Sequence, residues 1–161
     1  EVHRCGHGTG RGGGGHLATL VALTDPPADA AAAPEIAAAC AVAAPMHLPS
    51  LGPAHDRANS AASRLVGGPL PEVREAAQAA SPLAHVSSDD PPLLLVHGGH
   101  DGDVPPDQSI RVDRALAAAG VESRLVLIEN AGPAPPLDAG SPGGMALLDF
   151  LDDVLGAGPR P

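Results

Sequence analysis

Leu17, Leu20, Val21 and Thr24 stand at i, i+3, i+4 and i+7, a spacing that predicts a short helix over residues 16–24, stopped by Pro26 and Pro27. "ADAAAAP" (28–34) has no period and reads as a low-complexity loop or linker. The small apolar run "AAACAVAA" (37–44), bounded by Pro45, fits either a buried parallel strand or a helix, because alanine serves both. "PEVREAAQAA" (71–80) predicts a helix opened by proline and closed by Ser81-Pro82.

The pattern sharpens further along. "PPLLLVHG" (91–98) is a continuous apolar run between Pro and Gly, as expected of a strand covered on both faces. "DQSIRVDRALAAAG" (107–120) puts Val112, Leu116 and Ala119 on one helical face and ends on Gly120, a helix stop. "SRLVLIE" (123–129) predicts a second buried strand. "GGMALLDFLDDVLG" (143–156) predicts an amphipathic closing helix, with Asp149, Asp152 and Asp153 forming a solvated face. Alternation of strand and helix at these lengths means βαβ units on a parallel sheet of about three strands. The 161 residues suffice for one domain with a single core and are too few for two.

Composition changes the expected stability more than the fold. With one Phe, no Trp and no Tyr, the core is left to Leu, Val and Ala, which bury less area per residue, so low stability is expected. The 20 glycines, 19 prolines and all-arginine set of nine basic residues match a high-GC coding bias. A net charge of -10 without a basic cluster argues against nucleic-acid and anionic-membrane partners. Cys5 and Cys40 define neither a disulfide framework nor a CxxC site. No apolar run approaches the roughly 20 residues that span a bilayer. The opening "EVHRCGHG" has neither Met nor a signal pattern, which predicts a missing N-terminal portion, and no compartment follows from it.

In a parallel sheet, chemistry gathers at the carboxyl ends of strands. Three stretches qualify: the glycine-rich turn "GRGGGGHLATL" (10–20), "HGGHDGDVP" after the 91–96 strand, and "ENAGPAPP" after the 123–128 strand. The first is built as a turn that presents a nucleophile or cradles a phosphate, yet it holds only Arg11, His16 and Thr19 among glycines and apolar residues.

Together these stretches resemble the C-terminal half of an α/β-hydrolase, in the branch of feruloyl and acetyl-xylan esterases and prolyl-oligopeptidase-type peptidases. "GGHLATLVAL" looks like the helix after a nucleophile elbow, "ASPLAHVSSDDPPLLLVHG" like the approach to the acid strand, and the segment from Asp101 through "VPPDQSIRVDRALAAAGV" like the acid loop and its helix. The resemblance covers most of residues 10–129. It implies a partial α/β-hydrolase fold, a serine-hydrolase lineage acting on carboxylic esters (of acylated carbohydrate among them) or peptides, and no cofactor.

Position by position, the resemblance puts the triad acid on Asp101, where it would orient a histidine and stabilise its imidazolium. The elbow G-x-S-x-G falls on Gly10, Arg11, Gly12, Gly13 and Gly14, so the nucleophile position is Gly12; a second register through "GHGTG" (6–10) puts it on Gly8. The histidine position falls on Pro133, in "AGPA". One oxyanion donor would be the amide of Gly13, and the other belongs to a loop upstream of residue 1. The resemblance therefore predicts a triad with two vacancies, since glycine carries no nucleophile and proline relays no proton. "HGGH" (97–100) imitates an HGGG oxyanion loop but lies on the wrong side of the elbow.

Other readings stand beside this one. Gly10, Gly12 and Gly15 satisfy G-x-G-x-x-G with acids at Asp29 and Glu35, but a dinucleotide fingerprint needs an apolar strand before it, and "EVHRCGHGT" is not one. The cluster His97, His100, Asp101 and Asp103 carries a minor alternative, a metal-dependent hydrolase, with His3, Cys5 and His7 as a second cluster. Asp101 also has a purely structural role open to it, accepting backbone amides in its own turn. His16 is expected to pack or hydrogen-bond at a helix start, and Thr9, His47, His55 and His85 to be solvated or satisfied locally. Beside an inactive hydrolase stand a non-catalytic binding protein, a half-domain completed by another chain, and a truncated gene product. A small ester or acylated carbohydrate is the expected ligand, and an open edge on the first strand predicts self-association.

Overall fold

The computed structural model describes residues 12–25 and 36–156. Among these, the elements run α1 (Gly13–Leu23), β1 (Ala39–Val42), a 3-10 turn (Leu48–Ser50), α2 (Ala61–Val66), α3 (Arg74–Ala79) and a second 3-10 turn (Pro82–His85). Then come β2 (Leu93–Gly98), α4 (Asp107–Ala119), β3 (Ser123–Ile128) and α5 (Pro142–Leu155). The three strands form one parallel sheet in the order β1-β2-β3, with Leu93 of β2 facing Ala39 on one side and Ser123 on the other.

β2 is buried along its whole length, so its apolar run feeds two cores at once. Leu93 and Leu95 pack with Ala39 and Ala41 of β1, Val112 and Leu116 of α4, and Leu23 of α1. Leu94 and Val96 point the other way, against Val42 of β1 and Phe150 of α5. Alanine and valine in β1 let α1 lie close to the sheet, and this resolves the ambiguous 37–44 run as a strand.

Helix ends follow the local chemistry. α4 ends where Gly120 turns left-handed (φ 81°) and its amide caps the carbonyls of Leu116 and Ala117. Ser141 caps α5 by accepting the amide of Gly144. α1 begins at Gly13, three residues before the expected start at 16, so glycines make up most of its first turn.

Three expectations are corrected. The helix read over 71–80 shortens to Arg74–Ala79, with Pro71 outside it. β3 is a half-buried edge strand, with Leu127 42% exposed, because only β2 pairs with it among the described residues. Asp153 is no bystander on a solvated face: Arg124 of β3 reaches it at 2.7 Å while lying 5.5 Å over the Phe150 ring, so this acid helps clamp α5 to the sheet edge. α2 was not anticipated, although Ser60, whose Oγ accepts the Ser63 amide, and the left-handed Gly67 mark its two ends.

The segment between β1 and β2 builds a satellite core of Leu48, Leu51, Ala62, Leu70 and Ala77. Val104, from the loop after β2, completes it, so this small unit sits against the carboxyl end of the sheet. No helix among the described residues is long and apolar enough to cross a membrane. The 28–34 segment, Cys5 and the predicted opening residues lie outside the described residues.

Candidate active site

The three predicted positions stand at the carboxyl ends of the three strands. Gly12 is the N-cap of α1, and its amide donates to the carbonyl of Val42, the last residue of β1, over 3.1 Å. Its backbone lies at φ 59°, ψ −114°, in the left-handed half of the map that side chains other than glycine's resist. A Cβ built on Gly12 meets no atom of the described residues within 4 Å, so a side chain there would have room at the helix N-terminus. Gly13 is the first helical residue, and a helix supplies no internal acceptor for the amide at that position. Gly8, Gly10 and Arg11 lie outside the described residues, as do Thr9, Asp29 and Glu35.

Asp101 lies in the turn after β2 and is 6% exposed. Its Oδ1 accepts the amides of Asp103 and Val104, both at 2.9 Å. Its Oδ2 is buried and has no hydrogen-bond partner among the described residues; the ring nitrogen His97 Nε2 is 3.4 Å away. The carboxylate is thus divided: one oxygen holds its own turn, as the structural reading requires, and the other is left over. A buried, unmatched carboxylate oxygen costs free energy that a hydrogen-bond donor would recover.

Pro133 sits exposed in the turn after β3. That turn lies against the acid loop: the amide of His100 donates to the carbonyl of Ala131 over 2.9 Å. The approach is so close that a Cβ at Gly98 would collide with the carbonyls of Ala131 and Gly132, which explains glycine at the end of β2. Proline carries no side-chain donor or acceptor, so Pro133 itself moves no proton.

His16, His47, His55 and His85 each have a hydrogen-bond partner, several of them distant in sequence. His16, 3% exposed in the first turn of α1, donates from Nδ1 to the carbonyl of Pro45 at 2.9 Å, which leaves Nε2 buried without a partner. Burial pushes its pKa below the usual histidine value, with the Pro45 bond opposing in part. His47 bonds Ser50 Oγ and Gln78, His55 bonds the carbonyl of Asp103, and His85 that of Ala79.

Of the cluster read as a metal alternative, His97 is committed elsewhere. His97 spends both ring nitrogens, on Ser109 Oγ at 2.7 Å and the carbonyl of Val104 at 2.9 Å. No three His, Cys, Asp or Glu side chains among the described residues are arranged to hold a metal ion. His3, Cys5 and His7 lie outside the described residues.

Two features were not legible in the sequence. Ala43, just past β1, has a positive φ of 48° while 2% exposed, an outlier of the kind that clusters near functional turns. Gln108 of α4 lies 61 and 62 positions from the amides of His47 and Met46, which its Oε1 accepts, tying the satellite unit to the helix after the acid loop. No local pattern signals a contact at that separation.

Residues 7–116 match the family model described as BD-FAE. Among solved structures, a truncated carbohydrate esterase from gut microbiota superposes with a TM-score of 0.75 at 20% identity, over 87% of this chain and 56% of that one. The acetyl ester-xyloside bifunctional hydrolase from Caldicellulosiruptor lactoaceticus gives 0.66 at 22%, over 89% and 54%. The butyrate-bound thermophilic esterase Est2 of Thermogutta terrifontis gives 0.63 at 22%, over 92% and 56%. The chain therefore spans little more than half the length of these esterases. No curated protein matches it. The shared architecture is a partial α/β-hydrolase fold, a short parallel sheet flanked by helices.

Proposed function

The chain belongs to the BD-FAE family, and from that lineage we propose a serine-esterase scaffold that does not hydrolyse esters through its own elbow. The observation that carries this reading is the backbone of Gly12: the turn keeps the left-handed geometry that projects a nucleophile above a helix N-terminus, and the residue in it has no side chain. Asp101 with its unmatched Oδ2 supports the same reading from the acid side. Pro133 leaves the base position empty. Losing the nucleophile or the base alone removes on the order of a million-fold in rate from a serine-hydrolase triad, so one retained acid leaves no triad catalysis. The substrate class of the lineage is a carboxylic ester, with acylated carbohydrate the class acted on by its relatives, and this chain would at most bind it.

The test is p-nitrophenyl acetate hydrolysis by the purified chain, by Gly12→Ser/Pro133→His, and by that variant with Asp101→Asn added. The expected pattern is buffer-level rate, measurable turnover, and loss of that turnover. Turnover by the unaltered chain would overturn the vacancy. A folded but silent double variant, judged by circular dichroism, would overturn the assignment of positions 12 and 133.

A second reading, a half-domain completed by another polypeptide, is favoured by α1. Its only polar side chains, His16 and Thr19, are buried, while Leu17 and Val21 stand 52% and 61% exposed one turn apart. A helix apolar on all sides is one built to be covered. The same face, with the outer edge of β1, is where self-association would occur; light scattering of the purified chain decides between a monomer and a self-paired species.

A further inference from the structure

We propose that His97 is the positioning residue of the acid turn, holding residues 101–104 so that Asp101 keeps one carboxylate oxygen free; this rests on the reading of Asp101 as the acid position. His97 is the fifth residue of β2, fully buried in a strand that is otherwise leucine, valine and glycine. An apolar side chain would fill that site without the cost of burying an imidazole. What the imidazole adds is a rigid two-ended link. Ser109 of α4, 1% exposed, donates its hydroxyl to Nδ1, which fixes the other hydrogen on Nε2. Nε2–H donates to the carbonyl of Val104.

Val104 is the hinge of the arrangement. Its carbonyl is held by His97, and its amide, with that of Asp103, is donated to Asp101 Oδ1. The chain of bonds therefore runs from α4 through β2 into the turn and ends on one oxygen of the carboxylate. Oδ2 lies 3.4 Å from His97 Nε2, whose hydrogen is already committed to Val104, so it is excluded from the network and stays unmatched. Without the pin, the peptide at Val104 is held from its amide side alone, and the turn is freer to open and release the amides of Asp103 and Val104.

The test is residue-resolved amide hydrogen exchange on the intact chain and three variants. His97→Leu removes both bonds, and exchange at the amides of Asp103 and Val104 should quicken about tenfold, the equivalent of about one hydrogen bond, relative to the change at Leu94 and Leu95. His97→Gln keeps a donor within reach of the Val104 carbonyl and should recover most of that protection. Ser109→Ala should loosen the same two amides by a smaller factor, and serves alone should the leucine variant not fold. Unchanged exchange at Asp103 and Val104 in whichever of these variants folds, or acceleration shared equally by β2 and α4, would overturn the proposal. The exchange result needs no catalysis, so it stands apart from the esterase reading, which the Gly12→Ser/Pro133→His assay decides on its own.

Discussion

The amide of Gly12 is bound to the carbonyl of Val42 over 3.1 Å, so the turn ahead of α1 is fastened to the end of β1. At that position φ is 59°, in the half of the map that favours glycine. Gly12→Ala should therefore destabilise the fold by about 1–2 kcal/mol, the cost of a left-handed backbone for a residue with a Cβ. The open space around the built Cβ means that strain, not collision, accounts for the loss. Urea unfolding of the two proteins checks this. An unchanged midpoint would mean the turn relaxes and stores no strain.

His16 links stability to pH. Its pKa is lower folded than unfolded, because burial disfavours the charged ring more than the Pro45 bond favours it. Below pH 6.5, the ordinary value, the unfolded chain binds the proton more readily than the folded one. The contribution of this group is thus complete above pH 6.5 and is lost as pH falls toward the folded value. Replacing His16 with glutamine should flatten the fall in thermal midpoint between about pH 7.5 and 5. An equal fall in both proteins would assign the effect elsewhere.

Cys40, in the half-buried position of β1, has its thiol pushed up to about 11 by burial. At pH 8 it is a thiol and not a thiolate, so alkylation by iodoacetamide should be slow in the folded chain and fast in urea. Mass spectrometry of the peptide containing Cys40 separates it from Cys5. Rapid labelling without denaturant would show that β1 opens readily.

Phe150 is the one aromatic residue in the sequence and is fully buried between α5 and the sheet. It anchors a core otherwise made of Ala, Val and Leu. Phe150→Ala should cost about 3–5 kcal/mol, a large share of the stability of a domain this size. Removing the Asp153 contact by Asp153→Asn should cost far less, because Arg124 and Asp153 meet at the exposed edge. Comparable losses in calorimetry would contradict this ranking.

Local pattern alone determined much of this protein. The unbroken apolar run at 91–98, the face of Val112 and Leu116, and the stop at Gly120 each require only neighbours in sequence, and each appears as an element. That Gly12 has no nucleophilic atom and Pro133 no group that carries a proton is read from residue type alone. The tertiary structure decided what depends on contacts between distant residues. It made 37–44 a strand, since alanine's weak preferences yield to pairing with Leu93 through Val96. It made β3 an edge and gave Asp153 a partner. It also gave one oxygen of Asp101 to its own turn and left the other buried without a hydrogen-bond partner among the described residues, and tied that turn through His97 to Ser109 twelve residues away. A sequence shows which groups exist; which of them are left without a partner is settled only when the chain has closed around them.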